Sequence, residues 1–206
     1  MTRENRDRLA DAVRRLIDHA VNSDVPENEV ADIIATLEGL DEQLKKHPRS
    51  ATLKTKLPDF NDLQAIFRND PIIGTHNPIA PPVMVEKDGD RIRGTATLGS
   101  AYEGPPGYVH GAVLAGVFDM LLGLANVASG NPGMTGTLTV KYRRPTPLNT
   151  ELRFEAFTHR IDGRKVIAHG TVHAGEDLTA EAEGVFVQLK IDRAVEYFQD
   201  REPKRA

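Results

Sequence analysis

The residues best suited to chemistry lie between Gly104 and Val140, where Asp119 is the single formally charged side chain. Upstream, Gly104-Pro-Pro-Gly107 delivers the chain into an apolar run that starts at His110-Gly111. Downstream, Thr135 and Thr137 follow Pro132-Gly133. A helix beginning at His110 offers unpaired N–H groups and the positive end of its dipole at the first turn. Gly111 there lets a ligand atom come close to the backbone, which suits a carbonyl oxygen turning into an oxyanion. The same glycine also serves tight helix–sheet packing. A carboxylate in apolar surroundings is costly to ionise unless something pairs with it or uses it. Asp119 is therefore either a general base or a buried acid satisfied by hydroxyls and backbone. Thr135 could orient a water against it, or be an ordinary strand residue.

Asp119 lies eight residues beyond Gly111, about 12 Å along a helix axis. One small reaction centre cannot comfortably touch both from a single chain. If both act on one substrate they come from two subunits with antiparallel helices, which predicts a homodimer carrying two equivalent sites at its interface.

Other chemistries find little support. The chain has no cysteine, so disulfides, thiol nucleophiles and Cys-based metal sites are excluded. His169 and His173 share a strand face but lack a third ligand, and no metal site is expected. Gly130, Gly133 and Gly136 have the wrong spacing for a dinucleotide loop. No G-x-S-x-G elbow is present. Lys141, Arg143, Arg144, Arg164 and Lys165 lie at strand ends, either as solvated edge residues or as a phosphate contact.

Around these residues the 206-residue chain reads as one full domain with an appendage. It is 39% hydrophobic and 27% charged, an ordinary globular balance, and its net charge of −4 gives no footprint for nucleic acid. The Arg-rich start carries Glu4, Asp7 and Asp11, against a transit peptide, and is too charged for a secretory leader. No apolar run is read as approaching the roughly 20 residues of a membrane span, so a cytoplasmic location is expected.

Helical spacing covers 4–21, through Leu9, Val13, Leu16, Ile17 and Ala20. A second helix is expected from Glu27 to Lys46, with Val30, Ile33, Ile34, Leu37, Leu40 and Leu44 on its stripe, ending at His47-Pro48. These helices must pack on each other, on the main domain or on a second subunit. Asp62–Arg68 reads as a short helix capped by Asp59 or Asn61. Strands are expected at Val83–Glu86 and Arg91–Leu98, joined by an Asp88-Gly89-Asp90 hairpin. After the central helix, His110 to about Ala128, come four more: Thr135–Arg144, Glu151–Arg160, Lys165–Ala174 and Thr179–Leu189. A helix apolar nearly all round is an enclosed one, and the simplest enclosure is an antiparallel sheet curled round it.

Tyr-Glu-Gly-Pro-Pro-Gly-Tyr-Val-His-Gly (102–111), Asp119, and Met-Thr-Gly-Thr-Leu-Thr-Val-Lys-Tyr-Arg-Arg-Pro-Thr-Pro-Leu (134–148) together resemble the hotdog-fold acyl-CoA thioesterases of the PaaI-like type. The likeness spans about residues 74–190. It implies an α+β fold, an antiparallel sheet of about six strands wrapped round a central helix, preceded here by a helical extension. The expected division is an extension over 1–70, the hotdog domain over 71–192 and a tail over 193–206. The resemblance implies that His110-Gly111 opens the helix with the Gly111 N–H on the thioester carbonyl. Asp119 would act as base or nucleophile on the substrate held by the other subunit, with Thr135 assisting the water. Neither metal nor cofactor is implied, and the assembly would be a homodimer or a tetramer built from it.

Two departures stand out. Ala112 holds a place that is often glycine. Glu103-Gly104 stands where many members carry an Asn, which makes Glu103 an acidic substitute for that contact. The expected substrate-binding set is thus Glu103, Gly104, Arg143, Arg144, Arg164 and Lys165. The rival reading is a non-catalytic acyl-CoA-binding or regulatory hotdog protein. A hotdog hydratase would need a His-Asp pair in another loop arrangement, which the chain lacks.

Overall fold

A computed structural model describes residues 1–48 and 66–188. Helices α1 (Arg3–Asn22) and α2 (Glu27–Lys45) come first. Strands β1 (Met84–Asp88) and β2 (Arg91–Thr97) follow, then a single 3-10 turn at Ser100–Tyr102. Helix α3 (Gly111–Ala128) leads into β3 (Gly133–Tyr142), β4 (Glu151–Asp162), β5 (Lys165–Ala174) and β6 (Asp177–Gln188). The six strands form one antiparallel sheet in the order β1-β2-β4-β5-β6-β3. This is the expected architecture. The short helix expected at Asp62–Arg68 falls mostly outside the described residues, and the 193–206 tail lies wholly outside them.

Local chemistry sets the element ends. Gly89 and Gly163 turn their hairpins at positive φ, where a Cβ would be strained. The main helix starts one residue later than expected, because His110 is extended (φ −63°, ψ 132°) and serves as its N-cap. Strand β3 stops at Tyr142, since the N–H groups of Arg143 and Arg144 both turn to donate to the Thr179 carbonyl.

One face of α3 lies on the sheet. Leu114, Val117, Phe118, Leu121, Leu122, Leu124 and Ala125 are buried on it. They meet Ile92, Leu152, Phe154, Ala156, Val166, Ala168, Val172, Ala180, Ala182 and Phe186 from alternate strand positions. Small residues set the spacing: a Cβ at Gly170 would stand 3.2 Å from the Phe118 ring and 3.3 Å from Leu122.

Two expectations are corrected here. Helix α3 is not enclosed all round: Gly111, Val113, Ala115, Gly116, Asp119, Met120 and Gly123 are only partly covered and Ala112 is exposed. The sheet curls against one side and leaves the other toward the edge strand β3. In addition, this 18-residue helix does reach the length and apolarity of a short membrane span. Its packing against five strands, β2 to β6, identifies it as the core helix instead. The polar side chain sealed inside it is Asn126, whose Oδ1 accepts from the Thr158 hydroxyl at 2.9 Å.

Leu122 is fully buried between α3 and the sheet. Leu122→Ala should destabilise the fold by about 2–5 kcal/mol, measured as a lower denaturation midpoint at unchanged slope. A loss well under 1 kcal/mol would show that this helix–sheet contact is not the centre of the core.

Candidate active site on the core helix

Asp119 sits midway along α3 on its uncovered side. Its Oδ1 accepts from the Thr135 hydroxyl at 2.8 Å. Asp119 is half-buried and Thr135 is exposed, so the pair faces open space. Among the described residues no cation lies within ion-pair distance of Asp119 and no group donates to its second oxygen. The carboxylate is thus oriented by one hydroxyl and left able to accept a proton. A β-bulge helps to aim Thr135. In the β3–β6 ladder Thr135 opposes Phe186 and Thr137 opposes Val185, leaving Gly136 unpaired. Such bulges re-aim side chains.

The Gly111 end is built differently. The His110 Nδ1 accepts from the Ala112 N–H at 3.0 Å. A neutral imidazole accepting at Nδ1 carries its proton on Nε2, which makes the exposed edge of His110 a donor. On the other side of the same peptide, the Tyr142 hydroxyl donates to the Gly111 carbonyl at 2.8 Å. The Gly111–Ala112 peptide is therefore gripped at both its N–H and its C=O. The Gly111 N–H itself has no acceptor among the described residues. A Cβ at position 111 would stand 3.1 Å from the Tyr142 ring, so any larger residue there would crowd that ring as well as the approach of a ligand.

The loop before the helix is tied to this end. The Glu103 carboxylate accepts from the Gly107 N–H at 2.6 Å. The Gly104 N–H donates to the Tyr108 carbonyl at 2.9 Å. A Cβ at Gly104 would fall 2.7 Å from the His110 Cα, so only glycine lets the loop lie flat there. Glu103 and Gly104, expected as substrate contacts, shape the turn that presents His110. The His110 N–H donates to the Tyr102 carbonyl at 2.9 Å.

Tyr102 is in turn held by α1. Its hydroxyl donates to the Ala80 carbonyl at 3.0 Å, an oxygen that also accepts from Arg14 Nε at 3.0 Å. One turn further along α1, Asp18 Oδ1 accepts from the Ala101 N–H at 3.1 Å. Burial pushes the Tyr102 phenol above its ordinary pKa, with the Arg14 charge pulling the other way. Asp18, Arg14, Tyr102 and Tyr142 are the positioning residues that the sequence reading missed. Tyr142 stood inside the resembling motif but looked like a strand end. Asp18 and Arg14 share the i, i+4 face of a helix outside the resemblance, and that spacing was their one available signal.

The structure splits the expected site residues into two sets. His110, Gly111, Glu103 and Gly104 gather at the start of α3, where Arg143 and Arg144 end β3. Asp119 and Thr135 gather at the other end of β3, with Arg164 and Lys165 in the β4–β5 hairpin beside Gln188. Thr179 and Gln188 mark the two ends of β6 and stand about 30 Å apart at ordinary strand rise. The four cations therefore do not form one cluster within a protomer. Arg143 pairs with Glu181, whose carboxyl is held below its usual pKa by that guanidinium, and Arg144 pairs with Asp177. His169 contacts Glu183 at 2.9 Å and stacks on His159. Among the described residues no group of three or more His or acidic side chains could hold a metal ion.

Residues 106–181 match the family model of the thioesterase superfamily. Acyl-coenzyme A thioesterase THEM4 of Xenopus laevis is 34% identical over 93 residues, which is 44% of this chain and 42% of that protein. The chain thus matches less than half the length of this curated relative. A solved thioesterase superfamily protein is 35% identical with a TM-score of 0.79, covering 88% of this chain and 94% of that one. Zebra fish thioesterase superfamily member 2 shares the fold, with a TM-score of 0.55 at 16% identity over 65% of this chain and 100% of its own. The bulged strand beside a lone carboxylate, the glycine helix start and the agreement over nearly the full length of a solved relative place this chain in the thioesterase superfamily.

Proposed function

We propose that the chain hydrolyses acyl-CoA-type thioesters to free acid and thiol at sites shared between two subunits. The observation that carries this reading is Asp119, held by the Thr135 hydroxyl with no cation beside it among the described residues. Such a carboxylate can take a proton from water. The relatives named as acyl-coenzyme A thioesterases support the substrate class.

In this mechanism Thr135 and Asp119 hold a water, and Asp119 accepts its proton as the oxygen attacks the thioester carbonyl carbon. The carbonyl π electrons move onto oxygen, and the Gly111 N–H donates to that oxyanion from the positive end of α3. The His110 Nε2–H lies at the same helix start as a further donor. Collapse of the tetrahedral intermediate breaks the C–S bond. The thiolate then takes up the proton that Asp119 received, restoring the carboxylate.

Gly111 and Asp119 are about 12 Å apart on one rigid helix, so the oxyanion donor belongs to one protomer and the base to the other. A two-fold axis that sets Gly111 against the partner's Asp119 also brings Arg143 and Arg144 toward the end carrying the partner's Arg164 and Lys165. The two cation pairs, separate within one chain, then serve one set of CoA phosphates. In this reading the protein is a cytoplasmic homodimer, or a tetramer built from it. Residues 1–70 form an extension to the catalytic domain at 71–192.

With acyl-CoA substrates of graded chain length, Asp119→Asn should lower kcat by at least about a hundredfold with an unchanged unfolding transition. Unchanged turnover ends the assignment. Thr135→Val should lower kcat by about fivefold, the scale of one neutral hydrogen bond of about 1 kcal/mol. An effect confined to KM would instead make Thr135 a binding residue. Asp18→Ala should speed hydrogen exchange of the amides at 101–113 and reduce kcat several-fold at constant KM. Asp18→Asn, which keeps an acceptor oxygen, should restore both. Equal behaviour of the two variants would remove α1 from the support of the site.

A further inference from the structure

The side of α3 that the sheet leaves uncovered is touched at Gly116 by a segment from outside the sheet. A Cβ at Gly116 would stand 3.0 Å from Ile72 Cδ1 and 3.9 Å from Ile72 Cγ1. Apart from the helix backbone and the two neighbouring residues, no other described atom comes within 4 Å of that point. The Ile72 side chain therefore rests in the notch left by the missing Cβ. An alanine at 116 would force Ile72 to give way, since packed side chains leave no spare room for a methyl group.

A closely bonded loop delivers Ile72 to that notch. The Asp70 Oδ1 accepts from the Ile72 N–H at 2.7 Å and from the Ile73 N–H at 3.1 Å, a local carboxylate turn that sets the backbone. The Asp70 carbonyl accepts from the Gly74 N–H at 3.1 Å, and the Arg68 carbonyl from the His76 N–H at 2.8 Å. A Cβ at Gly74 would fall 2.3 Å from the Asp70 carbonyl oxygen, so the loop closes only on glycine. Ile73, 1% exposed, anchors it in the core. Ile72 and Phe67 pack partly buried against that core.

Gly116 precedes Asp119 by three residues, about 4.5 Å along the axis and about 60° around it. Thr135 holds the carboxylate, and Ile72 borders the same open strip of helix less than one turn away. Position 116 also lies between the two groups that the mechanism uses, Gly111 and Asp119. Residue 72 stands outside residues 106–181, which match the family model, so this apolar border comes from the part of the chain that precedes the matched region.

We infer that Ile72 is a wall of the acyl pocket and limits the length of the acyl chain that the site accepts, an inference that rests on the hydrolase reading for its substrate. A thioester carbon attacked beside Asp119 carries its thiol on one side and its acyl group on the other. The thiol leads to the CoA phosphates, and the acyl chain runs along the open strip of α3 until it meets Ile72. Pockets for such ligands are lined by apolar side chains on a preformed frame, and the Asp70 turn supplies the frame here. Ile72→Ala removes three side-chain carbons from the wall. Ile72→Val removes only Cδ1, the atom nearest Gly116, and leaves Cγ1 at an ordinary 3.9 Å from the Cβ position. A methyl added by Gly116→Ala then fits the space that Cδ1 vacated.

The test measures kcat/KM of the full chain with straight-chain acyl-CoAs from butyryl to palmitoyl. Ile72→Ala should move the optimum to chains about three carbons longer, with a gain of about fourfold for each methylene newly buried. Gly116→Ala, which pushes on Ile72, should move the optimum to shorter chains, and adding Ile72→Val to it should return the wild-type optimum. Ile73→Val, one residue on and sealed in the core, should lower the unfolding midpoint and leave the optimum in place. A uniform fall across all chain lengths in Ile72→Ala would overturn the inference, since Ile72 would then only support the fold. An optimum that moves as far in Ile73→Val would overturn it as well. If the wild-type chain turns over no member of the panel, the hydrolase reading fails by itself, and the wall is read from affinities for S-alkyl-CoA thioethers of the same lengths. A length preference shifted by Ile72→Ala would then support it; an unchanged preference, or no binding at all, would overturn it.

Discussion

A single rigid helix sets the terms for this protein. Helix α3 carries a glycine amide at its first turn and a carboxylate two turns later, and its buried face locks it to the sheet. Its rise fixes the separation of the two groups at about 12 Å, and no side-chain rotation closes that gap. Within one protomer each group has its own local partner: Tyr142 and His110 at the amide end, Thr135 at the acid end. In the proposed mechanism each of these groups is one half of a site. Under the proposed mechanism a second copy supplies the missing half by symmetry.

The amide end shows how much structure one donor needs. The peptide after Gly111 is held at both polar atoms, the preceding N–H of His110 is held by Tyr102, and Tyr102 is held from α1. Each bond is a modest one, about 1 kcal/mol net. Their joint effect is geometric, since a donor that must match a developing charge gains from having its peptide planes fixed beforehand. The acid end is looser by comparison. One hydroxyl orients Asp119, and the half-open setting leaves its other oxygen for water. That free oxygen is where the proposed role needs a water to sit.

The elements that sequence could place were those with strong periodicity and clear punctuation. All six strands, α1, α2 and the core helix follow from apolar spacing and from turns such as Asp88-Gly89-Asp90 and Asp162-Gly163. Thr135 was legible as a residue that could orient a water against Asp119, but its direct hydrogen bond to that carboxylate was not. What sequence could not place was anything depending on which side of an element faces out. Asp119 looked sealed because its neighbours are apolar, yet the sheet covers only one side of α3, and the sealed polar group is Asn126. The bulge at Gly136 has no sequence period, because it is a mismatch between two strands distant in the chain. Glu103 was expected at the substrate because it stands where many members of the resembling family carry an Asn. One of its oxygens accepts from the Gly107 amide four residues on, a local bond that no sequence period announces. The N-terminal strut through Asp18 and Arg14 was invisible for a related reason: the residues it holds lie more than sixty positions downstream.

The position of the site on the sheet also constrains assembly. Strand β3 is an edge strand, with one row of backbone groups unpaired within the sheet. Long exposed edges are a hazard that proteins cover or interrupt, and β3 runs ten residues with Met134 and Tyr142 exposed. Its charges stand near its far end, at Lys141, while its start carries none. Both half-sites border this strand, Thr135 near its beginning and Tyr142 at its end. Covering the edge with a second copy would bury the exposed apolar residues and bring the two half-sites of different chains together. Protecting the edge and completing the site are then the same physical event. Under that arrangement the chemistry on α3 and the stability of the sheet edge would be linked through β3, one of the two edge strands, which carries both the bulge and the Tyr142 that holds the Gly111 carbonyl.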